Sequence, residues 1–579
     1  MPRPRTTSAA LLVLLTLAGF AVRWRGLDDL LPHVMHRDGM VHVRQTEHFQ
    51  RAAEDPGADR MLSYNPHLYS RIAALWPVPA VPEGRRPSLD EALAVAKAPW
   101  LRLREISAVL SLLLIPGTYL FARRFLDRAG SLFAAGLTAT CLLHVLASVQ
   151  EKAHAMVASF LLLALLAAMR LRRKPDVASY LLAGVAAALA VGSLHNGFLC
   201  LPAIGVAWLL RERSPRRASP AWILAPAALI AASLVLFWPF LLEIDAPHLQ
   251  IPESQQTPTA AFLRVFTSGS YHLDRPAILL RAVADHDPVL VAAVVLGVLA
   301  WIPAAIRRRA SPRGLLRGDV AVVLAYSLPY SLSLLFLASS TARYIVPLLP
   351  ILACIGGYAF SRGPARWLAR IREPAARAVA RTAAGAAVLA LPFWMVWRYA
   401  EIRARPDTLE EAARWIEGHV QHGEGIVVVP PFDLPLLPTP DALAENVREP
   451  WRSAWAETLA RGLADRIDAP RFDVRIQPGP FRESRGEIVR DPGSYFRRCG
   501  AQYVVLATPA NDRARDSARA WLSANGKREA RLSPLARDDG RDVHALFHND
   551  PGDPSVWMLP GLRALGPTVE IYSTTLGGR

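Results

Sequence analysis

Apolar stretches of 14 to 24 residues alternate with short polar loops over the first two thirds of this chain. A bilayer core of about 30 Å takes roughly 20 apolar residues per helix. Eleven candidate spans follow: Ser8–Val22, Glu105–Ala122, Gly130–Ala147, Ala153–Met169, Val177–Val191, Gly197–Leu210, Trp222–Leu242, Val289–Ile306, Val320–Ala338, Tyr344–Phe360 and Ala376–Tyr399. Between the first two lies a long polar segment, 24–104. Within it, Asp38 to Arg51 and Leu89–Ala98 have the spacing of amphipathic helices, the second with Leu89, Leu93 and Ala96 on one face.

After Tyr399 the pattern changes. Thr408-Leu409-Glu410-Glu411 reads as a capping box opening a helix through Ile416. Ile426–Val429 and Tyr503–Leu506 read as buried strands, Ala514–Leu522 as a helix, and Val543, Ala545 and Phe547 alternate like a further strand. The fold class expected is a polytopic α-helical membrane protein of about 11 transmembrane helices with a C-terminal soluble α/β domain. The division expected is 1–400 for the membrane unit and 401–579 for the soluble one.

Charge gives the chain a direction. Its 579 residues carry a formal net charge of +17. The arginines concentrate in alternate loops: Arg3/Arg5, Arg123–Arg128, Arg170–Lys174, Arg211–Arg217, Arg307–Arg317 and Arg362–Arg381. The positive-inside rule accounts for that distribution and removes nucleic acid as the partner of the basic charge. It places the N-terminus in the cytoplasm and, with an odd number of spans, the C-terminal domain on the extracytoplasmic side of an inner or plasma membrane. Cys141, Cys200, Cys354 and Cys499 are scattered, with no disulfide or zinc spacing.

Candidate chemistry lies on the loops assigned to the outer side. Asp38 opens a helix, where the dipole favours a carboxylate, and His42 follows one turn later. A helix cap explains Asp38 equally well. The Tyr64–Tyr69 stretch adds Asn65, His67 and Tyr69 as cavity candidates. Glu151 and Lys152, then His195, then Arg343 and Tyr344 top three further outer loops. Singly, each basic group reads as a side chain snorkelling to the interface. Together they would build an anion site for a lipid phosphate. Asp38 and Glu151 stand apart in the sequence, which gives no cluster of metal ligands.

Asp38 after the first span, Asn65-Pro66-His67-Leu68-Tyr69, Leu182–Asn196, and Arg343-Tyr344-Ile345-Val346-Pro347-Leu348-Leu349-Pro350 together resemble the GT-C membrane glycosyltransferases. The most similar branch is glycosyltransferase family 39, the dolichyl-phosphate-mannose–protein mannosyltransferase-like proteins of bacteria. Arg405-Pro406-Asp407-Thr408, Trp415-Ile416-Glu417 and Gly500–Val505 add to the likeness. The resemblance implies an inverting transferase that moves a sugar from a polyprenyl-phosphate carrier to a glycan, lipid or protein acceptor outside the membrane. Some GT-C branches use a divalent metal; with no ligand cluster in this sequence, no cofactor is expected. The resemblance also implies Asp38 as general base and Arg343, Tyr344, Lys152 and His195 as carrier-phosphate ligands. Many relatives carry Asp-Glu where this chain has Asp38-Gly39, which leaves Glu47 and Glu151 as candidates for the second carboxylate. Many carry lysine at the position of His195. The competing readings are a transporter or lipid-binding membrane protein, and a GT-C scaffold that has lost its chemistry.

Overall fold

The computed structural model describes residues 4–33, 37–54, 66–77, 79, 81–82, 84–212, 219–238, 274–307, 318–334, 341–430, 432–447, 454–476, 483–508, 512–547 and 554–577. The first part of the chain is helical: α1 (Pro4–Trp24), α2 (Arg37–Glu54), α3 (Leu68–Ala74), α4 (Leu89–Ser111), α5 (Leu114–Ala122), α6 (Arg128–Ala139), α7 (Leu142–Ser148), α8 (His154–Arg173), α9 (Val177–Ser193), α10 (Leu201–Leu209) and α11 (Leu224–Phe237). Arg275–His286, Pro288–Arg307, Asp319–Ser333, Leu349–Arg362 and Pro374–Arg403 complete the bundle. Outward faces keep large apolar side chains exposed, among them Leu14, Leu17, Leu182, Val185, Leu296 and Leu299. Lipid is the environment in which such faces are stable, because the helices satisfy their own backbone groups.

The number of spans differs from the expectation. Among the described residues, four helices are long and apolar enough to cross a membrane, or up to six when each of two bent pairs counts as one. Eleven is not confirmed. Ser8–Trp24, Val177–Ser193, His195–Leu209 and Ala221–Phe237 are shorter apolar helices. The Gly130–Ala147 stretch is broken: α6 and α7 meet at 52°. Its cause is remote in sequence. The Asp287 carboxylate accepts hydrogen bonds from Leu142 N (2.6 Å) and Leu143 N (3.0 Å), so a new helix begins there. Hydropathy alone cannot register a cap supplied by a residue so far along the chain.

The C-terminal region contains a six-stranded sheet, ordered β2-β3-β1-β4-β8-β5. Its strands are β1 (Gly425–Val429), β2 (Leu437–Pro438), β3 (Arg471–Ile476), β4 (Ala501–Ala507), β5 (Gly526–Leu532) and β8 (Val569–Thr574). β2, β3, β1 and β4 run parallel, and β8 is antiparallel to both of its neighbours, β4 and β5. β1 is buried along its whole length, as the run Ile426–Val429 requires. Val543–Phe547 forms only the two-residue β6 (His544–Ala545), paired with β7 (Gly566–Pro567). The Thr408–His419 helix forms, but its cap is Asp407 rather than Thr408. Asp407 Oδ1 accepts from Leu409 N and Glu410 N, while the Thr408 hydroxyl donates to Pro567 O.

One hydrophobic cluster joins the two parts, running from Val22 and Leu146 through Tyr399 and Leu409 to Ile426 and Ile571. Gly26 makes a close approach possible there. It has φ +66°, and an added Cβ would stand 2.5 Å from the Arg403 carbonyl carbon. Arg403 in turn donates to Val22 O (2.9 Å) and Arg25 O (2.7 Å), tying the end of α1 to the end of Pro374–Arg403.

Candidate functional site

Five separate segments bring polar groups to the end of the bundle that carries the sheet. The first is α2. Asp38 sits in its first turn, as the sequence indicates, and its side chain lies outside the described residues. Gly39 follows and packs directly on Glu151. A Cβ there would meet Glu151 Cγ at 2.2 Å and Trp100 at 2.8 Å. The backbone beside Asp38 therefore presses on a carboxylate delivered by the loop between α7 and α8.

Glu151 is 1 % exposed and is held in place. Arg104 Nε donates to Glu151 Oε2 at 2.9 Å, and Arg104 Nη1 donates to Asp29 Oδ1 at 3.0 Å and to Leu27 O at 3.0 Å. A carboxylate taken out of water needs such a partner to remain ionised. Sequence reading passed over Arg104, because the expected span began one residue later at Glu105. The signal is an arginine at the start of an apolar helix, a placement that is costly without a role.

Glu47, the other candidate for a second carboxylate, is placed elsewhere. It accepts two hydrogen bonds from Arg461, at 2.8 and 2.9 Å, at the contact between α2 and the C-terminal region. The structure brings Glu151 to Gly39 and takes Glu47 to Arg461.

α3 supplies the next groups. Tyr69 is fully buried and donates to Leu103 O at 2.6 Å. Burial raises its phenol pKa well above the usual value, and the charge of Glu151 adds to the rise. The Tyr69 ring meets His42 edge-on at 5.1 Å. Ser70 Oγ lies 3.4 Å from His42 Nδ1 and donates to Gln45 Oε1 at 2.8 Å. His67 is also buried, with its ring against Phe49 at 5.3 Å. Asn65 lies outside the described residues.

The basic groups converge on His154, the first residue of α8. Arg343, Lys152, His195 and His42 all act on it electrostatically. Its ring meets Tyr344 edge-on at 5.3 Å, and the Arg343 guanidinium carbon lies 5.5 Å from that same ring. Lys152 and Arg343 are 2 % and 5 % exposed, so both are largely removed from solvent. His195 is positioned through its neighbour: Asn196 Nδ2 donates to Tyr330 Oη at 3.2 Å, and Tyr330 Oη donates to Tyr344 O at 2.9 Å. The result is a buried cluster in which the Glu151 carboxylate lies against Gly39 of α2, with the cations Lys152 and Arg343 near the start of α8. Such a cluster can hold an anion beside a group able to accept a proton.

A second polar cluster lies nearer the sheet, and its first member stands too far along the chain from the others for spacing to reveal it. Ligand atoms of His33, Asp407 and Glu410 lie within 4.8 Å of one another, across 374 residues of separation between the first two. His33 Nε2 is 2.9 Å from Asp407 Oδ2. Since Asp407 also caps the Thr408–His419 helix, the pair links the segment after α1 to the C-terminal region.

Residues 92–240 match the family described as dolichyl-phosphate-mannose-protein mannosyltransferase. That stretch carries Arg104, Glu151, Lys152, His154 and His195. The match bears out, over that stretch, the resemblance read from the sequence. No curated protein matches it. Solved structures that it resembles include the apo oligosaccharyltransferase of Archaeoglobus fulgidus, at 12% identity over 98% of this chain and 88% of that one, TM-score 0.47. ArnT from Cupriavidus metallidurans is similar in its apo state, at 14% identity over 99% of this chain and 100% of that one, TM-score 0.44. The same protein bound to undecaprenyl phosphate gives 14% identity, 98% and 99% coverage and TM-score 0.45.

Proposed function

We propose, from the family match over residues 92–240 and the buried cluster it helps to build, that the chain is an inverting glycosyltransferase. Its donor is a sugar on a polyprenyl phosphate, and its acceptor a hydroxyl-bearing glycan, lipid or protein on the extracytoplasmic side. The observation that carries the reading is the contact between Gly39 and Glu151, with Lys152 next in the chain and with Arg343 and His154 both against the Tyr344 ring. Acid and cation come to one place from loops far apart in sequence.

The chemistry follows from the parts. Arg343, Lys152 and His195 stabilise the charge that grows on the carrier phosphate as the glycosidic bond breaks. Asp38 accepts the proton of the acceptor hydroxyl, whose oxygen attacks the anomeric carbon from the opposite face. A single displacement inverts that carbon, and the phosphate leaves with the lipid. Glu151 takes the part of the second acid of the Asp-Glu pair found in relatives. Its ion pair with Arg104 fixes it beside the α2 backbone.

The test is transfer by the purified protein from a panel of polyprenyl-phosphate sugars, with Asp38→Asn and Arg343→Lys variants. Asp38→Asn is expected to lower turnover by at least about a hundredfold, the usual worth of a general base, with carrier binding retained. Arg343→Lys keeps the charge but loses the planar fork, so carrier binding is expected to weaken. Unchanged turnover in both variants, or sugar uptake into proteoliposomes without transfer, overturns the reading.

A further inference from the structure

At the other end of the bundle, α1, α6 and the helices Leu349–Arg362 and Pro374–Arg403 leave an open crevice of about 660 Å³. Its size falls in the range of small-molecule sites. The walls are apolar: Leu11 and Leu15 on one side, Leu132 and Leu389 on the other. Phe133 and Phe360 stack in parallel, 4.6 Å apart, and both line the crevice. The mouth is charged, with Arg123, Arg128 and Arg381 against the single acid Asp127.

Asp127 is already committed. It caps α6 through Gly130 N (2.9 Å), accepts from Ser361 Oγ (2.8 Å) and lies 3.8 Å from Arg381. Arg123 and Arg128 are in no ion pair among the described residues; Arg123 donates to Leu126 O at 2.6 Å. The mouth thus carries an excess of positive charge directly above an apolar slot. A ligand that fits both has a phosphate at one end and a hydrocarbon chain at the other. Basic pockets between membrane helices are suited to anionic lipid headgroups in this way.

We propose that this crevice binds an anionic glycerophospholipid, with one acyl chain between α1 and α6 and its phosphate on Arg123, Arg128 and Arg381. The site is remote from the Glu151–Arg343 cluster and does not depend on the activity assigned to that cluster. Charge complementarity selects the anionic lipid over a zwitterionic one, whose choline would meet the arginines.

The experiment uses the full chain in nanodiscs with spin-labelled phosphatidylglycerol and phosphatidylcholine. Phosphatidylglycerol is expected to be immobilised and phosphatidylcholine not. At about 1 kcal/mol per arginine, the pair Arg123→Gln and Arg128→Gln weakens binding roughly thirtyfold. Gly385→Leu is the second variant, since a Cβ there meets Phe360 at an ordinary 3.6 Å and the longer side chain fills the slot without touching a charge. It is expected to abolish immobilisation with the arginines intact. Equal retention of both lipids, or indifference to Gly385→Leu, marks an ordinary boundary lipid and overturns the proposal. Displacement of the phosphatidylglycerol by equimolar undecaprenyl phosphate overturns it too, by assigning the slot to the carrier.

Discussion

Gly39 and Glu151 occupy each other's space: a methyl group on the first would stand 2.2 Å from the γ-carbon of the second. The missing side chain at 39 is what admits the carboxylate from the neighbouring loop. Gly39→Ala is therefore expected to push Glu151 off Arg104. Overpacking of this kind costs about 1–3 kcal/mol. A thermal melt checks the stability, and a transfer assay checks turnover, which is expected to fall further than the melting shift alone accounts for. Full turnover in Gly39→Ala removes the contact from the mechanism.

The two acids considered for the second carboxylate separate cleanly by experiment. Glu47 pairs with Arg461, which is half exposed, so Glu47→Gln is expected to cost no more than about 1 kcal/mol and to leave turnover near wild type. Glu151→Gln removes one of the two carboxylates that pair with the buried Arg104 guanidinium and leaves it Asp29 alone. Both stability and turnover are expected to drop, the first by about 1.5–3 kcal/mol. Melting curves and initial rates on the two variants decide the matter.

Much of the fold was legible because it rests on local pattern. The Ile426–Val429 strand, the helix after Thr408 and the Asp38–Arg51 helix all formed as periodicity indicated. β5 was not legible, because Lys527-Arg528-Glu529 gives an edge strand the composition of a loop. The break at Thr140–Cys141 was hidden for a different reason, since its cap comes from Asp287. At the site, residue types pointed to Glu151, Lys152, His195 and Arg343. The partners that fix them, Arg104 and Tyr330, sit inside apolar helices where periodicity reads only packing. His33 and Asp407 meet only through the tertiary fold.

The Asp287 cap is open to direct test. Asp287→Ala leaves Leu142 N and Leu143 N without their acceptor in a buried place, at about 1–3 kcal/mol. Asp287→Asn keeps an acceptor oxygen and is expected to recover part of that loss. Melting temperatures in detergent are expected to rank wild type above Asp287→Asn above Asp287→Ala. Equal melting of all three would mean that α7 begins at Leu142 for another reason.

The junction between the segment after α1 and the C-terminal region is expected to weaken as pH rises. Burial pulls the His33 imidazole pKa down, but the charges of Asp407, Glu410 and Asp433 and the hydrogen bond to Asp407 outweigh it, and the net shift is upward from 6.5. Asp433 is pushed up to about 7, chiefly by burial, with the nearby His33 opposing the rise. Both shifts have the same sign in linkage. Between pH 3.8 and about 7 the folded protein keeps a proton on Asp433 that the unfolded chain has lost. Above 6.5 it keeps one on His33 in the same way, until pH passes the raised value. Each group contributes a slope of up to about 1.4 kcal/mol per pH unit within its window, so stability falls with rising pH. Burial raises the Glu410 carboxyl as well, which adds a slope of the same sign above 4.5, and Asp433→Asn removes one of these three titrations. It is expected to flatten the melting profile between pH 4 and 7 and to stabilise the protein at pH 8, whereas His33→Gln removes the remaining slope above pH 6.5. A wild-type profile that is flat from pH 5 to 8, or that rises, would show that these groups do not carry the junction.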